Sequence, residues 1–546
     1  MRGMWGILES NRLEHVPGTS LLDDDADGAT VVSSTLKRGT GKQQHIVLVP
    51  QPSNDLNDPL RWPLWQRDLM LLMYLYVTLL SVGGIGPLLS ASALILVEHF
   101  HITFTEITLL TGYQLCAVGA VGIFISALCH KYGKRPRFLF SITMAFVGTV
   151  WGGAAQSYGS LMGARVVQGL GTAMWESVMY SIIGDLYHVH ERGVRVAALT
   201  IAISGLANLP ALLSGVITQR LGWRWMFWLL AIFLGIGVFL LAIFGWETAY
   251  NRAPIYNIDT SSNNNVDLIS AMKQDHSYIE NAEPSVDSVE KAQAEEDAPI
   301  PRKSFAKRLL PFSGTYSPDS IIWMLLRPFI ILANPAVIWS TLFLSITTAW
   351  FVMISFVIAQ IFSAPPFLLD SAHISYMSAG PCIGGILGSV ICGLISDPLA
   401  ISLAKRNKGV YEPEFRLILL LPFLVTACIG FFCFGNFVEK GYSPVVMTVV
   451  WGVALAAQQF MSVAVGTYII DAYRDISVEV FIIGMVVKNF LFFGLSFGVN
   501  NWVTKWGPAR VFDTIGGIEV ALFFLSIPVW VFGKQWRAYF HFKHIS

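Results

Sequence analysis

Residues 224–246 read Arg-Trp-Met-Phe-Trp-Leu-Leu-Ala-Ile-Phe-Leu-Gly-Ile-Gly-Val-Phe-Leu-Leu-Ala-Ile-Phe-Gly-Trp, and after Arg224 no charge interrupts the run until Glu247. Crossing the roughly 30 Å hydrocarbon core of a bilayer takes about 20 mostly apolar residues in a helix. The run is continuously apolar rather than alternating every second residue, so it reads as a helix that satisfies its own backbone in lipid and not as a barrel strand. Eleven further stretches read the same way: 68–89, 106–129, 138–156, 160–187 and 195–218 before it, then 336–361, 372–395, 416–434, 443–470, 477–500 and 514–533. The predicted fold class is an all-α membrane protein with twelve transmembrane helices in two six-helix bundles. Composition agrees: 54% hydrophobic and 13% charged residues, with mean hydropathy +0.57, stand far from the roughly 25% charged content of soluble domains. A water-soluble globule is excluded. The 36 Lys and Arg cancel the 36 Asp and Glu, so net charge gives no reason to propose a nucleic-acid partner.

The first 60 residues hold Asp23, Asp24, Asp25 and Asp27 and no apolar core, so no signal peptide is expected and the first span does the targeting. With the N-terminus inside, the short inner loops and tail hold fourteen Lys and Arg, while the outer loops hold five: Arg220, Arg224, Lys440, Lys505 and Arg510. That asymmetry places both termini in the cytoplasm. The six cysteines fall in or at the ends of apolar spans, which suggests neither a disulfide framework nor a zinc site. The domains expected are a mostly disordered tail (1–65), a six-helix bundle (66–246), a central cytoplasmic loop (247–335), a second bundle (336–533) and a tail (534–546). Within the loop, 257–300 has too little apolar content to fold alone. Residues 301–327 are basic and aromatic, which fits either a helix on the anionic inner leaflet or a solvated connector.

The two halves retain traces of duplication. The fourth span ends Ile182-Ile183-Gly184-Asp185-Leu186-Tyr187, and the tenth ends Ile469-Ile470-Asp471-Ala472-Tyr473. Parallel six-span repeats with a site at the midplane between them describe secondary transporters that rock.

The loop after the second span, His130-Lys131-Tyr132-Gly133-Lys134-Arg135-Pro136-Arg137, needs Gly133 for backbone freedom and offers cations to headgroups or helix C-termini. It resembles the signature loop of the major facilitator superfamily, in which an acidic residue stands at the position of His130 and latches the inward gate. An imidazole there either makes the latch sensitive to pH or is a tolerated substitution. Arg165-Val166-Val167-Gln168-Gly169-Leu170-Gly171 in span four is similar to the family's arginine-bearing motif, and Gly205 to Gly215, with Pro210, keeps part of its antiporter pattern. Gly222-Trp223-Arg224-Trp225, Trp246-Glu247-Thr248, His190-Glu191-Arg192-Gly193 and Tyr411-Glu412-Pro413-Glu414-Phe415-Arg416 resemble the fungal twelve-span drug/proton antiporter group. The resemblance covers about 60–533 and implies transport of drugs, metabolites, polyamines or other cations.

Charges inside spans are costly and mark functional hypotheses. Three stand out: Arg165 and Glu176, eleven positions apart and so on one stripe of span four, roughly 16 Å apart along the axis, and Lys488 in span eleven. Near mid-membrane, desolvation favours the protonated form of Glu176 and a cationic cargo favours the ionised one. Glu176 is therefore read as the coupling or cation-binding acid, or else as a structural partner of Arg165 or Lys488. Lys488 is read as its counter-ion across the halves, or as a side chain snorkelling inward. His130, Lys131, Gly133, Arg135, Asp185, Arg192, Asp397 and Asp471 are read as gating residues, with Asp185 near Arg192, Asp397 near Lys405 and Arg406, and Asp471 near Arg474. Candidate cavity walls are Tyr113, Gln114, Trp175, Asn208, Trp350, Gln458, Gln459 and Asn489, each open to a plain packing role.

Gly39-Thr40-Gly41-Lys42-Gln43 lacks the first glycine and terminal hydroxyl of a phosphate-cradling loop, which argues against ATP-driven pumping. His188-Val189-His190-Glu191 lacks metalloenzyme spacing. No enzyme, cofactor or metal is expected. The function expected is proton-coupled efflux of small organic compounds by alternating access at the plasma membrane, the chain acting as a monomer whose partners are cargo, protons and the lipid bilayer. Uptake of polyamines or other organic cations is the alternative. A nutrient-sensing receptor stays open as a different class, distinguished by signalling that persists without transport.

Overall fold

A computed structural model of the chain describes residues 6–8, 16, 19–21, 55–90, 92–250, 304–312, 314–317, 320–407, 410–473 and 476–542. The stretch 257–300 and most of the N-terminal tail, both expected to be disordered, lie outside the described residues.

Among the described residues, eleven helices are long and apolar enough to cross a membrane. In chain order they are span 1 (Leu64–Gly84), span 2 (Phe104–Tyr132), span 3 (Arg135–Ala154), span 5 (Ala198–Leu221), span 6 (Arg224–Phe244), span 7 (Pro335–Ser363), span 8 (Ser371–Arg406), span 9 (Pro413–Glu439), span 10 (Pro444–Ala472), span 11 (Ser477–Ser496) and span 12 (Pro508–Phe540). Span 4 fills the remaining place as two helices, Tyr158–Ser177 and Met179–Leu186, separated at Val178. Its polar content, Arg165, Gln168 and Glu176, is what lowers its hydropathy. Several helices outrun their apolar windows. Span 9, for instance, runs from Pro413 to Glu439 instead of 416–434, because consecutive 3₁₀, α and π turns carry the helix on into the polar interface.

Sequence dictates the packing as well. Span 3 packs on spans 4 and 6, span 2 on span 4, span 8 on span 10 and span 7 on span 11. Small residues let these backbones approach: a Cβ added to Gly384 of span 8 would stand 2.0 Å from the Gly452 carbonyl oxygen of span 10. The two bundles meet along two seams, span 2 against span 11 and span 5 against span 8. The end at which Leu64 and Phe542 lie is called inner below. At the outer end the seams are bonded: Asn500 Nδ2 donates to Thr108 Oγ1 at 2.7 Å, and Gln219 Nε2 to Asp370 Oδ2 at 2.9 Å. At the inner end the seam of spans 2 and 11, with span 4, borders a hollow of about 240 Å³.

Between the bundles, the helix Ile321–Ile330 packs on spans 2 and 11. Its Ile322, Trp323 and Leu326 remain exposed, and Arg327 pairs with Glu479 at 3.4 Å. A bare apolar flank at this level is compatible with the first of the two readings given for 301–327, a helix on the inner leaflet.

Candidate functional site at the seam between the bundles

Glu176 is the penultimate residue of the outer piece of span 4, just before the break at Val178. Lys488 lies eleven residues into span 11, at a similar depth from the inner end. The structure brings them together: Lys488 Nζ donates to Glu176 Oε1, and Asn489 Nδ2 donates to Oε2 at 3.3 Å. Both partners keep partial exposure, 18% for the Glu176 side chain and 13% for Lys488. The pair is thus a charge-neutral bridge between bundles, with Lys488 as counter-ion and not snorkelling. On the inner side of it, Tyr180 of span 4 stacks on Phe481 of span 11 at 6.0 Å. The inner hollow begins at Val178 and Ser181 and is walled by Cys129, Ile482 and the polar groups of His130, Lys134 and Asp185. Tyr316 and Ser317 of the central segment close one side, and the Tyr316 amide donates to the Lys131 carbonyl at 2.8 Å.

Arg165 is not part of that bridge. It is fully buried and donates to the carbonyls of Ile85 and Gly86, to Gln168 Oε1, to Thr111 Oγ1 and to Gln114 Oε1. The guanidinium fork suits this role because its two terminal nitrogens together reach five oxygens, on spans 2 and 4 and just beyond span 1, although Nε has no partner among the described residues. Gln114 is consumed by the same network and is no cavity wall.

The other wall candidates divide. Tyr113 meets Phe493 across the seam at 5.3 Å, and Asn208 lines a small outer hollow with Pro87, Ser355, Ile374 and Trp451 from both bundles. Trp175 is a correction: it is fully buried between Phe138 at 4.7 Å and Tyr74 at 6.2 Å, inside the first bundle. Gln459 is likewise interior, accepting from Ser389 Oγ at 3.2 Å. Trp350 packs on Trp502 within the second bundle. Gln458 is half-buried and makes no hydrogen bond among the described residues.

The inner charges bind other partners than expected. Asp185 takes Lys134 at 2.5 Å, and the Arg192 side chain lies outside the described residues. Asp397 and Asp471 both take Arg416, at 2.6 and 3.2 Å, where Lys405, Arg406 and Arg474 were expected; Arg474 is outside the described residues. Asp471 also accepts from Tyr411 at 2.5 Å; burial, then the Asp471 carboxylate, pushes that phenol up, so it stays a donor. Arg135 donates to the carbonyls of Gly245 and Ala242, the C-terminus of span 6, where a cation is favoured. Gly133, at φ 84°, lets the following Lys134 and Arg135 amides donate to the Glu247 carboxylate at 2.9 and 3.1 Å. These contacts tie helices within one bundle, whereas the Glu176–Lys488 ion pair crosses between bundles. His130 borders the hollow.

Sequence reasoning passed over several groups. Glu412 and Glu414 hold Lys534 and Arg537 at 2.7 and 2.8 Å, stapling span 9 to the end of span 12. Glu519, within the last span, is buried and accepts from Thr347. A charge count inside the spans would have found Glu519; the Arg416 and Arg537 pairings are long-range and leave no trace in spacing.

The chain is 25% identical to an uncharacterized MFS-type transporter of Schizosaccharomyces pombe, over 96% of this chain and 93% of that protein. It is 23% identical to the Probable drug/proton antiporter YHK8 of Saccharomyces cerevisiae, over 97% and 96% respectively. Among solved structures it matches the xylose transporter XylE from E. coli with TM-score 0.55 and 14% identity, covering 85% of this chain and 97% of that one, a likeness of fold. The pattern that defines the Major Facilitator Superfamily runs through residues 74–490, well over half of the sequence, and this multi-pass membrane protein therefore belongs to that transporter family.

Proposed function

We propose that the chain exports small organic compounds in exchange for protons, at the plasma membrane and with both termini in the cytoplasm. One observation carries the reading: an acid, Glu176, bridges the two bundles through Lys488 beside a hollow on its inner side. Breaking a buried ion pair by neutralising one partner is strongly unfavourable. A proton on Glu176 therefore releases Lys488 and weakens the seam on which this conformation depends. Cargo and proton act on the same bridge, so their exchange biases which mouth is open. The printed name of the drug/proton antiporter relative supports the exchange, and Tyr113 and Asn208 at the seams supply aromatic and amide surface for amphipathic cargo.

A second reading has its own support. Lys488 shows that the Glu176 carboxylate accommodates a primary ammonium, the group a polyamine would present, and uptake of such a cation would displace the lysine.

The test is a growth panel in a host lacking its own carriers, challenged with toxic compounds and, separately, grown on limiting polyamine. Resistance that disappears with Glu176→Gln supports export, and rescue on polyamine supports uptake. Resistance undiminished by Glu176→Gln would remove the coupling assignment.

A further inference from the structure

The last span holds a second buried acid that the bridge does not use. Glu519 is 1% exposed; Thr347 Oγ1 of span 7 donates to its Oε2 at 2.8 Å, and Oε1 has no partner among the described residues. Span 7 carries no charged residue. The charged groups on the other elements packed against span 12 stand toward its ends. Glu439 of span 9 bonds the Ala509 amide, Asp513 accepts from Asn436, and Lys534 and Arg537 are held by Glu412 and Glu414. Lys505 and Arg510 lie at the outer end, Arg416 of span 9 is held by Asp397 and Asp471 at the inner end, and the uncharged titratable groups on spans 9 and 12 are Cys428, Cys433 and Tyr539. An ionised carboxylate with one neutral hydroxyl partner and no cation in a dry interior is far costlier than a neutral one. This geometry favours the neutral, protonated form of Glu519.

Its surroundings connect it to the bridge. Ser345, two residues before Thr347, donates through Oγ to the Gly484 carbonyl at 2.9 Å, and Gly484 lies one helical turn before Lys488 on span 11. The helix segment that presents the lysine to Glu176 is thus bonded to the segment that presents the hydroxyl to Glu519. Trp350 Nε1, one turn beyond Thr347 on the same side of span 7, is also buried without a partner. Glu519 Oε1, unpartnered among the described residues, is the atom from which a proton can leave once the packing changes.

We propose that Glu519 is a second proton-binding site, within the second bundle, which gives up its proton when span 11 shifts with the release of Lys488. The proposal rests on the proton-coupled reading for the use of that proton, but not for its presence.

The test uses the intact chain in lipid nanodiscs, with the proton alone as ligand. Infrared difference spectra are recorded across a pH titration of the native chain, Glu519→Gln, Glu176→Gln and Thr347→Val. The expected result is a protonated-carboxyl band that bleaches as pH rises, is lost completely in Glu519→Gln, and bleaches at lower pH in Glu176→Gln, where the neutral amide no longer holds Lys488. Thr347→Val displaces the band by removing its hydroxyl partner, and serves if Glu519→Gln does not fold. A band that survives in Glu519→Gln, or that Thr347→Val leaves in place, overturns the assignment. So does a band that never bleaches while the chain stays folded, which would mark a permanently neutral structural acid. The readout involves no cargo, so failure here leaves the role of Glu176 standing, and failure of the growth test leaves this result intact.

Discussion

Lys488 and Glu176 belong to different bundles, yet they share one hydrogen-bonded ion pair, with Asn489 donating to the second carboxylate oxygen. Removing one member strands the other in a largely dry seam, whereas replacing both with uncharged groups of similar volume strands neither. Glu176→Gln and Lys488→Met should each lower stability, toward the lower end of about 3–5 kcal/mol because both side chains keep some exposure. The double variant should recover most of that loss. A double-mutant cycle on thermal unfolding checks it. Additive single effects would show that the pair is not coupled, and recovery of stability without recovery of pH-gradient dependence would separate coupling from folding.

Arg165 makes a different prediction because its oxygens all come from one bundle and none is a carboxylate. Lys has a single ammonium and cannot reach the Ile85 carbonyl, Gln168 and Gln114 at once. Hydrogen bonds to a charged group are worth about 1.5–3 kcal/mol each, so Arg165→Lys should cost roughly 3 kcal/mol or more. The loss should appear as a lower unfolding midpoint, with the proton dependence of any remaining transport unchanged. An Arg165→Lys protein that folds normally but loses proton dependence would move Arg165 into the coupling machinery.

Gly215 sits where span 5 touches the start of span 8 at the outer end. A Cβ there would lie 2.0 Å from the Ser371 carbonyl oxygen and 2.7 Å from Ser375 Oγ, so the seam must part. Overpacking costs about 1–3 kcal/mol, enough to shift a two-state equilibrium roughly 5- to 150-fold. Gly215→Val is expected to favour an outward-open state, read as faster labelling of a reporter cysteine at Ala211 from outside. Gly384→Val, whose contact with Gly452 is internal to the second bundle, should destabilise folding without that labelling change.

How far the sequence alone could be read follows from the physics of each signal. Span 6 announced itself because lipid permits so few charges, and Glu176 and Lys488 were visible as exceptions to that rule. Trp175 was misplaced because it was grouped with its neighbour Glu176, although one step along a helix turns the side chain by about 100° and carries it from the seam to the interior of the first bundle. Arg416 was not matched to Asp471 because the choice among nearby cations depends on how spans 8, 9 and 10 close, a tertiary matter. The repeat of Asp185 and Asp471 at the inner ends did hold at the level of chemistry: each takes a cation from the start of the preceding odd-numbered span, Lys134 of span 3 and Arg416 of span 9.

The outer end supplies a prediction about acidity. Asp370 begins span 8: the His373 amide donates to Oδ1 at 2.8 Å, and Gln219 of the other bundle donates to Oδ2 at 2.9 Å. The His373 amide, more than any other group, holds the Asp370 carboxyl below the usual carboxylate range. A carboxyl lowered in the folded state stabilises it above the unfolded pKa, about 3.9, and that contribution is lost only as pH falls through the lowered value. Acidifying the outside from neutral to about pH 5 therefore leaves the Gln219 contact intact, and in the proposed exchange the driving proton acts elsewhere on the path. Asp370→Asn keeps an acceptor for Gln219 and should close like the native chain, while Asp370→Ala should label faster at the outer rim at every pH. If the native outer seam loosens between pH 7 and 5 and Asp370→Asn abolishes that response, Asp370 and not Glu176 is the acid that senses the external proton.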